Sequence, residues 1–151
     1  MFTTTPFSVW DLSDDLQAGL EKIGWEFATQ VQKETSPIAL TGRDVIGQAR
    51  TGSGKTAAFG LPTMNACQPT GELQALILAP TRELANQVAG ELSNIQGDAG
   101  LKIQTVYGGT DLEKQARNLQ AGVDIIVGTP GRVMDMTERG HIDLQKPTFF
   151  V

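Results

Sequence analysis

Residues 42–60 read GRDVIGQARTGSGKTAAFG, an apolar run, a glycine-rich turn and a helical run in succession. GRDVIGQA (42–49) has the length and apolar content of a short strand, and GKTAAFGLPTM (54–64) continues as a helix disturbed near Pro62. Between them ARTGSGKT (49–56) sets glycines around a lone lysine and closes on a threonine. Ala49, Gly54, Lys55 and Thr56 satisfy A-x-x-x-x-G-K-[ST], a phosphate-loop pattern whose common form opens on glycine. The chemistry tolerates alanine there better than at Gly52 or Gly54, where backbone must approach an anion. Amides of Gly52 to Thr56 can point at phosphate oxygens from the positive end of the new helix. Lys55 then reaches the β/γ oxygens as a point charge and the Thr56 hydroxyl ligates Mg²⁺, which makes these two the candidate catalytic pair. The cofactor-binding stretch is Ala49, Arg50, Thr51, Gly52, Ser53, Gly54, Lys55 and Thr56. GSGKTA also fits a dinucleotide-binding fingerprint, but a ribose-binding acid should end the next strand, and Glu72 precedes it.

Outward from the loop, strand and helix alternate without an internal repeat. Ser13 caps a first helix with Leu12, Leu16, Leu20 and Ile23 as its stripe and Gly24 as its stop. Thr29 and Gln32 stand at capping-box spacing and start a second. LQALILAP (73–80) is a buried strand, followed by a helix whose Leu84, Val88, Leu92 and Ile95 recur at helical spacing. LKIQTVYGG (101–109) is the next strand; Thr110 with Glu113 caps a helix that ends near Gly122. VDIIVGTP (123–130) is a strand, Pro130 opens a helix that Gly140 closes, and PTFFV (147–151) begins another strand. The order predicts an α/β fold, a parallel sheet flanked by helices, with ligands held outside the carboxyl ends of the strands.

At 151 residues the chain is the size of one ordinary domain. Its longest apolar runs are strand-length, far short of the roughly 18 residues of a membrane span, so no membrane partner is expected. MFTTTPF lacks a basic region before an apolar stretch, and Cys67 stands alone, so neither a secretory signal nor a disulfide is expected. A reduced cytoplasmic setting follows as the default. The formal charge is −5 with twelve basic residues spread singly, so nucleic acid has to be gripped by placed arginines and backbone amides rather than by a basic patch. His141, the one histidine, is expected on the surface, and Met134 and Met136 are expected to serve helix packing and exposure. Glu83 and Asp135 fall inside helices as solvated or pairing residues, so no strand in the span ends on an acid for Mg²⁺ and water.

Taken in order, the motifs resemble the first RecA-like domain of the DEAD-box ATP-dependent RNA helicases. ARTGSGKT is similar to motif I, PTRELA (80–85) to motif Ia, the glycine pair 108–109 to the double-glycine motif and TPGR (129–132) to motif Ib. GWEFATQVQ (24–32) is similar to the Q motif, with Phe7 at the family's spacing ahead of it and Ala28 and Trp25 as departures from the usual residues. The resemblance runs from Phe7 to Val151 and breaks off where FFV would continue into the D-E-A-D acids. It implies a RecA-like P-loop NTPase domain, partial over 1–151 and incomplete at its C-terminal end, with a Q-motif region at 7–32. It implies that Gln32 reads the adenine edge of ATP, ADP or AMP while Phe7 stacks on the ring. It implies that Pro80, Thr81, Arg82, Gly109, Thr129, Gly131 and Arg132 track the backbone of single-stranded RNA, independent of sequence.

In such enzymes ATP is clamped between two RecA-like domains, the second supplying arginine fingers. The 151 residues are therefore expected to bind nucleotide with little unwinding or turnover. An alternative is a self-associating module. In these sheets a later strand usually lies between the phosphate-loop strand and the motif II strand, and its absence leaves edges on which a homodimer can form. A small kinase or GTPase is the poorer reading, because no guanine-reading N-K-x-D follows the loop.

Overall fold

Apolar runs that alternate with capped helices place the core between a sheet and the helices that return over it, and a computed structural model describes this arrangement for residues 2–151. The described chain forms two compact units. The first comprises residues 2–66 with Glu91–Gly100, and the second Cys67–Gly90 with Leu101–Val151.

In the first unit, β1 (Phe2–Pro6) pairs antiparallel with β2 (Phe27–Thr29), and a single 3-10 turn at Phe7–Val9 follows β1. Neither strand is marked by an apolar alternation in the sequence. Helix α1 (Asp14–Lys22) starts where expected: the Ser13 hydroxyl accepts from the amide of Leu16, and Leu16 and Leu20 are buried. Helices α2 (Gln30–Ala39) and α3 (Lys55–Asn65) pack together. α3 continues through Pro62 as one helix, and α2 likewise contains Pro37. At Gly60 an added Cβ would lie 2.3 Å from Leu92, so α3 can receive this leucine only where it has no side chain.

The second unit carries a parallel sheet in the order β4-β5-β3-β6, from β3 (Ala75–Leu78), β4 (Ile103–Val106), β5 (Ile125–Gly128) and β6 (Phe149–Phe150). These four coincide with the predicted strand runs at 73–80, 101–109, 123–130 and 147–151. Strand alternation sends Leu76 and Ile126 to one face, where they join Val106, Leu119, Val133 and Met136. Ala75, Ile77, Ile125 and Val127 point the other way and are also buried, as expected of parallel strands covered on both faces. Helix α4 (Arg82–Gln96) contributes Arg82–Gly90 to this unit, and α5 (Leu112–Gln120) and α6 (Pro130–Glu138) belong to it entirely.

Two expectations are corrected. Residues 42–49 do not form a strand: 43–50 carry no regular structure, Ile46 is fully exposed and Val45 is partly so. Strand propensity is realised only against a ladder partner, and no described strand lies beside this segment. The cap of α5 is Asp111, whose carboxylate accepts from the amides of Glu113 and Lys114, while the Thr110 hydroxyl turns back to the carbonyl of Tyr107.

Candidate nucleotide and nucleic-acid sites

The phosphate loop lies in the first unit. Gly52 and Gly54 both hold positive φ, +79° and +91°. Gly54 is the N-cap of α3, so the loop turns into the helix through a conformation that side chains resist. The Ser53 amide and hydroxyl both donate to the carbonyl of Arg50. Amides of Gly54, Lys55 and Thr56 have no hydrogen-bond partner among the described residues, and Lys55 is exposed. The loop thus presents orphan donors and a cation at a helix N-terminus, the arrangement that attracts phosphate. Ala49 and Thr56 are half-buried; Arg50 and Thr51 are exposed.

Gln32 supports this loop from α2. Its side chain is 1% exposed; Nε2 donates to the carbonyl of Gly54 at 3.1 Å, and Oε1 accepts from the Thr29 amide at 2.9 Å. The second contact is one half of the predicted capping box. The Thr29 hydroxyl faces the box but makes no full hydrogen bond, and it lies against Gly54. Phe7 is only 3% exposed. Trp10 meets its ring edge-on at 5.6 Å, and Trp25 stacks over it at 6.3 Å. Of the three rings in this cluster Trp25 is the most open to solvent, 40% exposed.

The other candidate residues gather in the second unit. β3, β4 and β5 run parallel with Leu78 and Val106 both level with Gly128, so the loops after them leave the same sheet edge. Pro80 and Thr81 follow β3, the glycine pair 108–109 follows β4, and Thr129 follows β5. Pro80, Thr81, Arg82, Gly109 and Gly131 are exposed; Thr129 and Arg132 are half-buried. The Thr81 hydroxyl accepts from the amide of Leu84, and Thr129 is the N-cap of α6 with Pro130 in its first turn. Helix starts at Arg82 and Pro130 therefore bring two arginines and unpaired first-turn amides to one edge.

The loop Tyr107–Thr110 ties these arginines together. The Arg82 guanidinium lies 5.8 Å from the Tyr107 ring centre, and Asn86 donates to the Tyr107 hydroxyl. Arg132 donates to the carbonyl of Thr110 and to Oε1 of Gln115. Tyr107 and Gln115 escape a motif-based reading, since one follows a strand and the other sits in a polar helical run. Glu83 lies 3.8 Å from Arg82, and Asp135 pairs with Arg139 at 2.9 Å, so both helical acids are pairing residues as expected. His141 is exposed, Met136 buried and Met134 exposed.

At the opposite end of this sheet Asp124 is fully buried. Its carboxylate accepts from the amides of Thr70, Gly71 and Lys102 and from the side chain of Gln74. Cys67 lies nearby, its thiol pushed up to about 11 by burial and by the Asp124 charge.

The DEAD/DEAH box helicase profile matches residues 29–151. The DEAD-box ATP-dependent RNA helicase CshA of Streptococcus pneumoniae serotype 4 is 49% identical over 140 residues, 92% of this chain and 27% of the relative. RNA helicase CrhR of Synechocystis is 49% identical over 142 residues, 94% of this chain and 29% of the relative. The crystal structure of a DEAD box protein from the hyperthermophile Methanococcus jannaschii matches with a TM-score of 0.92 at 37% identity, covering 99% of this chain and 41% of that one. The chain thus spans less than a third of the length of these curated relatives. No helix among the described residues is long and apolar enough to cross a membrane.

Proposed function

Because this chain belongs to the DEAD/DEAH box helicase family, we propose that its two units divide the substrates of an ATP-dependent RNA helicase core between them. The first takes an adenine nucleotide with Mg²⁺, and the second takes the backbone of single-stranded RNA. The observation that carries the reading is the loop Gly52–Thr56, where the amides of Gly54, Lys55 and Thr56 are unpartnered among the described residues and an exposed lysine starts α3. Lys55 and the amides bind phosphate oxygens, and Gln32 holds the loop at Gly54 while keeping one Nε2 hydrogen for the base edge. Trp25 offers the stacking surface, with Phe7 packed behind it.

Mg²⁺ commonly takes only one or two protein ligands, with phosphate oxygens and water completing its shell. Thr56, in the first turn of α3, suits that donor set. Mg²⁺, when bound, neutralises charge on the phosphates. The carboxyl ends of β3, β4 and β5 lead into Pro80–Thr81, Tyr107–Gly108 and Thr129–Pro130, none of them an acid able to polarise water. Turnover by these 151 residues is therefore weak, and their task is to hold both substrates. The RNA contacts run to phosphate and sugar, so they carry no base information. A cytoplasmic working place belongs to the same reading.

Titration with a fluorescent ADP analogue and Mg²⁺, beside ATPase assays with and without single-stranded RNA, tests it. Saturable binding weakened at least tenfold by Lys55→Ala, with turnover near background, is the expected result. RNA-stimulated hydrolysis abolished by Lys55→Ala would overturn the holding role.

A second reading rests on the exposed strand-like residues. Ile46 has no ladder partner, and β6 ends the sheet with Phe150 and Val151 exposed beside Leu78. Two copies can satisfy such edges by pairing. Light scattering over a concentration series checks this: a monomer throughout removes it.

A further inference from the structure

We propose that Gln115 is a positioning residue of the RNA-backbone site, shaping Arg132 into a side-on fork for one phosphate. The proposal rests on reading this edge of the second unit as the RNA site. Gln115 is nine-tenths buried in α5, an unusual place for an amide unless all its groups are used. Its Nε2 donates to the carbonyl of Tyr107 at 3.1 Å and to the Thr110 hydroxyl, and its Oε1 accepts from Nη1 of Arg132 at 3.0 Å. One side chain thus holds both ends of the double-glycine loop and the arginine from α6.

The consequence lies in which donors of Arg132 remain. A guanidinium has five N–H groups. The Thr110 carbonyl accepts from both Nη1 and Nη2, each at 3.3 Å, which uses the inner hydrogens of the terminal nitrogens. Gln115 takes the other Nη1 hydrogen. What is left is Nε–H and the outer Nη2–H, two parallel donors along one side of the plane. Two oxygens of a phosphate accept from such an edge in the bidentate geometry that favours arginine over lysine. Without Gln115, Nη1 has a free hydrogen, the loop loses both amide donors, and the direction of the fork rests on the carbonyl of a loosened Thr110 alone.

Fluorescence anisotropy with a labelled oligouridine, at several salt concentrations, tests the proposal in the whole chain. Arg132→Ala is expected to weaken binding about tenfold and to make the slope of log K on log salt shallower by about 0.7, one phosphate contact on a single strand. Gln115→Met, of similar length but without the hydrogen bonds, is expected to weaken binding about fivefold and to lower the slope in the same sense. The double variant is expected to bind no worse than Arg132→Ala alone. Binding of the ADP analogue should stay within twofold throughout, which checks that the variants are folded. Should Gln115→Met fail to fold, Gln115→Glu keeps an acceptor for Arg132 but removes the donors and adds a counter-charge, and it should show the same lower slope. An unchanged slope with lower thermal stability, or additive losses in the double variant, overturns the positioning role alone. If Arg132→Ala leaves RNA affinity unchanged, the RNA reading of this edge falls and takes the proposal with it.

Discussion

The side-chain amide of Gln32 donates to the carbonyl oxygen of Gly54 from a site closed to solvent, joining α2 to the turn of the phosphate loop. Its other end is held by the Thr29 amide, so the contact is fixed in direction as well as distance. Gln32→Glu replaces the donor by an acceptor facing the Gly54 carbonyl, at nearly unchanged volume. We expect it to weaken binding of the ADP analogue at least tenfold and to cost about 1–3 kcal/mol of stability, read by titration and by thermal melts with and without ADP. A Gln32→Glu chain that binds as wild type would show that the loop does not depend on this bond.

Gly54→Ala is expected to be the most damaging single methyl group in the loop. A Cβ there would lie 2.5 Å from Nε2 of Gln32 and 2.7 Å from the Thr29 hydroxyl, and φ is +91°. Both the strain and the displaced amide act against the fold of the first unit. Denaturant unfolding should show a loss of about 2 kcal/mol or more, with nucleotide binding lost.

Asp124 holds four N–H groups in the second unit and touches none of the candidate ligand residues. Asp124→Ala leaves the amides of Gly71 and Lys102 without an acceptor, while Thr70 and Gln74 keep other partners, and we expect about 3 kcal/mol of destabilisation. Asp124→Asn keeps an acceptor on one oxygen only and should fall between wild type and alanine. Urea melts distinguish the three chains.

Cys67 predicts a pH effect of definite sign. The folded thiol titrates near 11 against an ordinary 9.0, so the folded state keeps its proton where the unfolded chain has lost it. Its contribution to stability is complete below pH 9 and declines between about 9 and 11. Cys67→Ala should flatten this alkaline decline relative to wild type in melts across that window. An unchanged slope would mean that another group governs it.

Where local chemistry decides structure, it is legible in the sequence. Ser13 caps α1 because a hydroxyl three residues before Leu16 has an orphan amide to accept from, and ALIL becomes β3 because it is apolar throughout and strand-length. Partners distant along the chain are not legible. Residues 42–49 have strand composition and find no strand partner among the described residues, whereas the β1–β2 pairing joins segments with little periodicity. Asp111 and Thr110 are both credible caps, and only the folded loop shows that Thr110 is engaged with Tyr107. Gln32 can be read as a capping residue from its spacing to Thr29, but its bond to Gly54 spans 22 positions. Gln115 carries no signal at all, since a buried glutamine looks like its exposed neighbours until the arginine opposite is seen.

Residues 43–49, which lead into the phosphate loop, make no hydrogen bonds among the described residues, and the side chains of Val45 and Ile46 face water. Any ligand that immobilises this lead has to overcome backbone entropy of about 1 kcal/mol for each residue it orders. Nucleotide binding should then be enthalpy-driven, with an entropic penalty larger than the loop alone would impose. Substitutions that stiffen residues 43–49 should tighten binding without touching the nucleotide, so the affinity of this site is set partly by a stretch of chain that never meets its ligand.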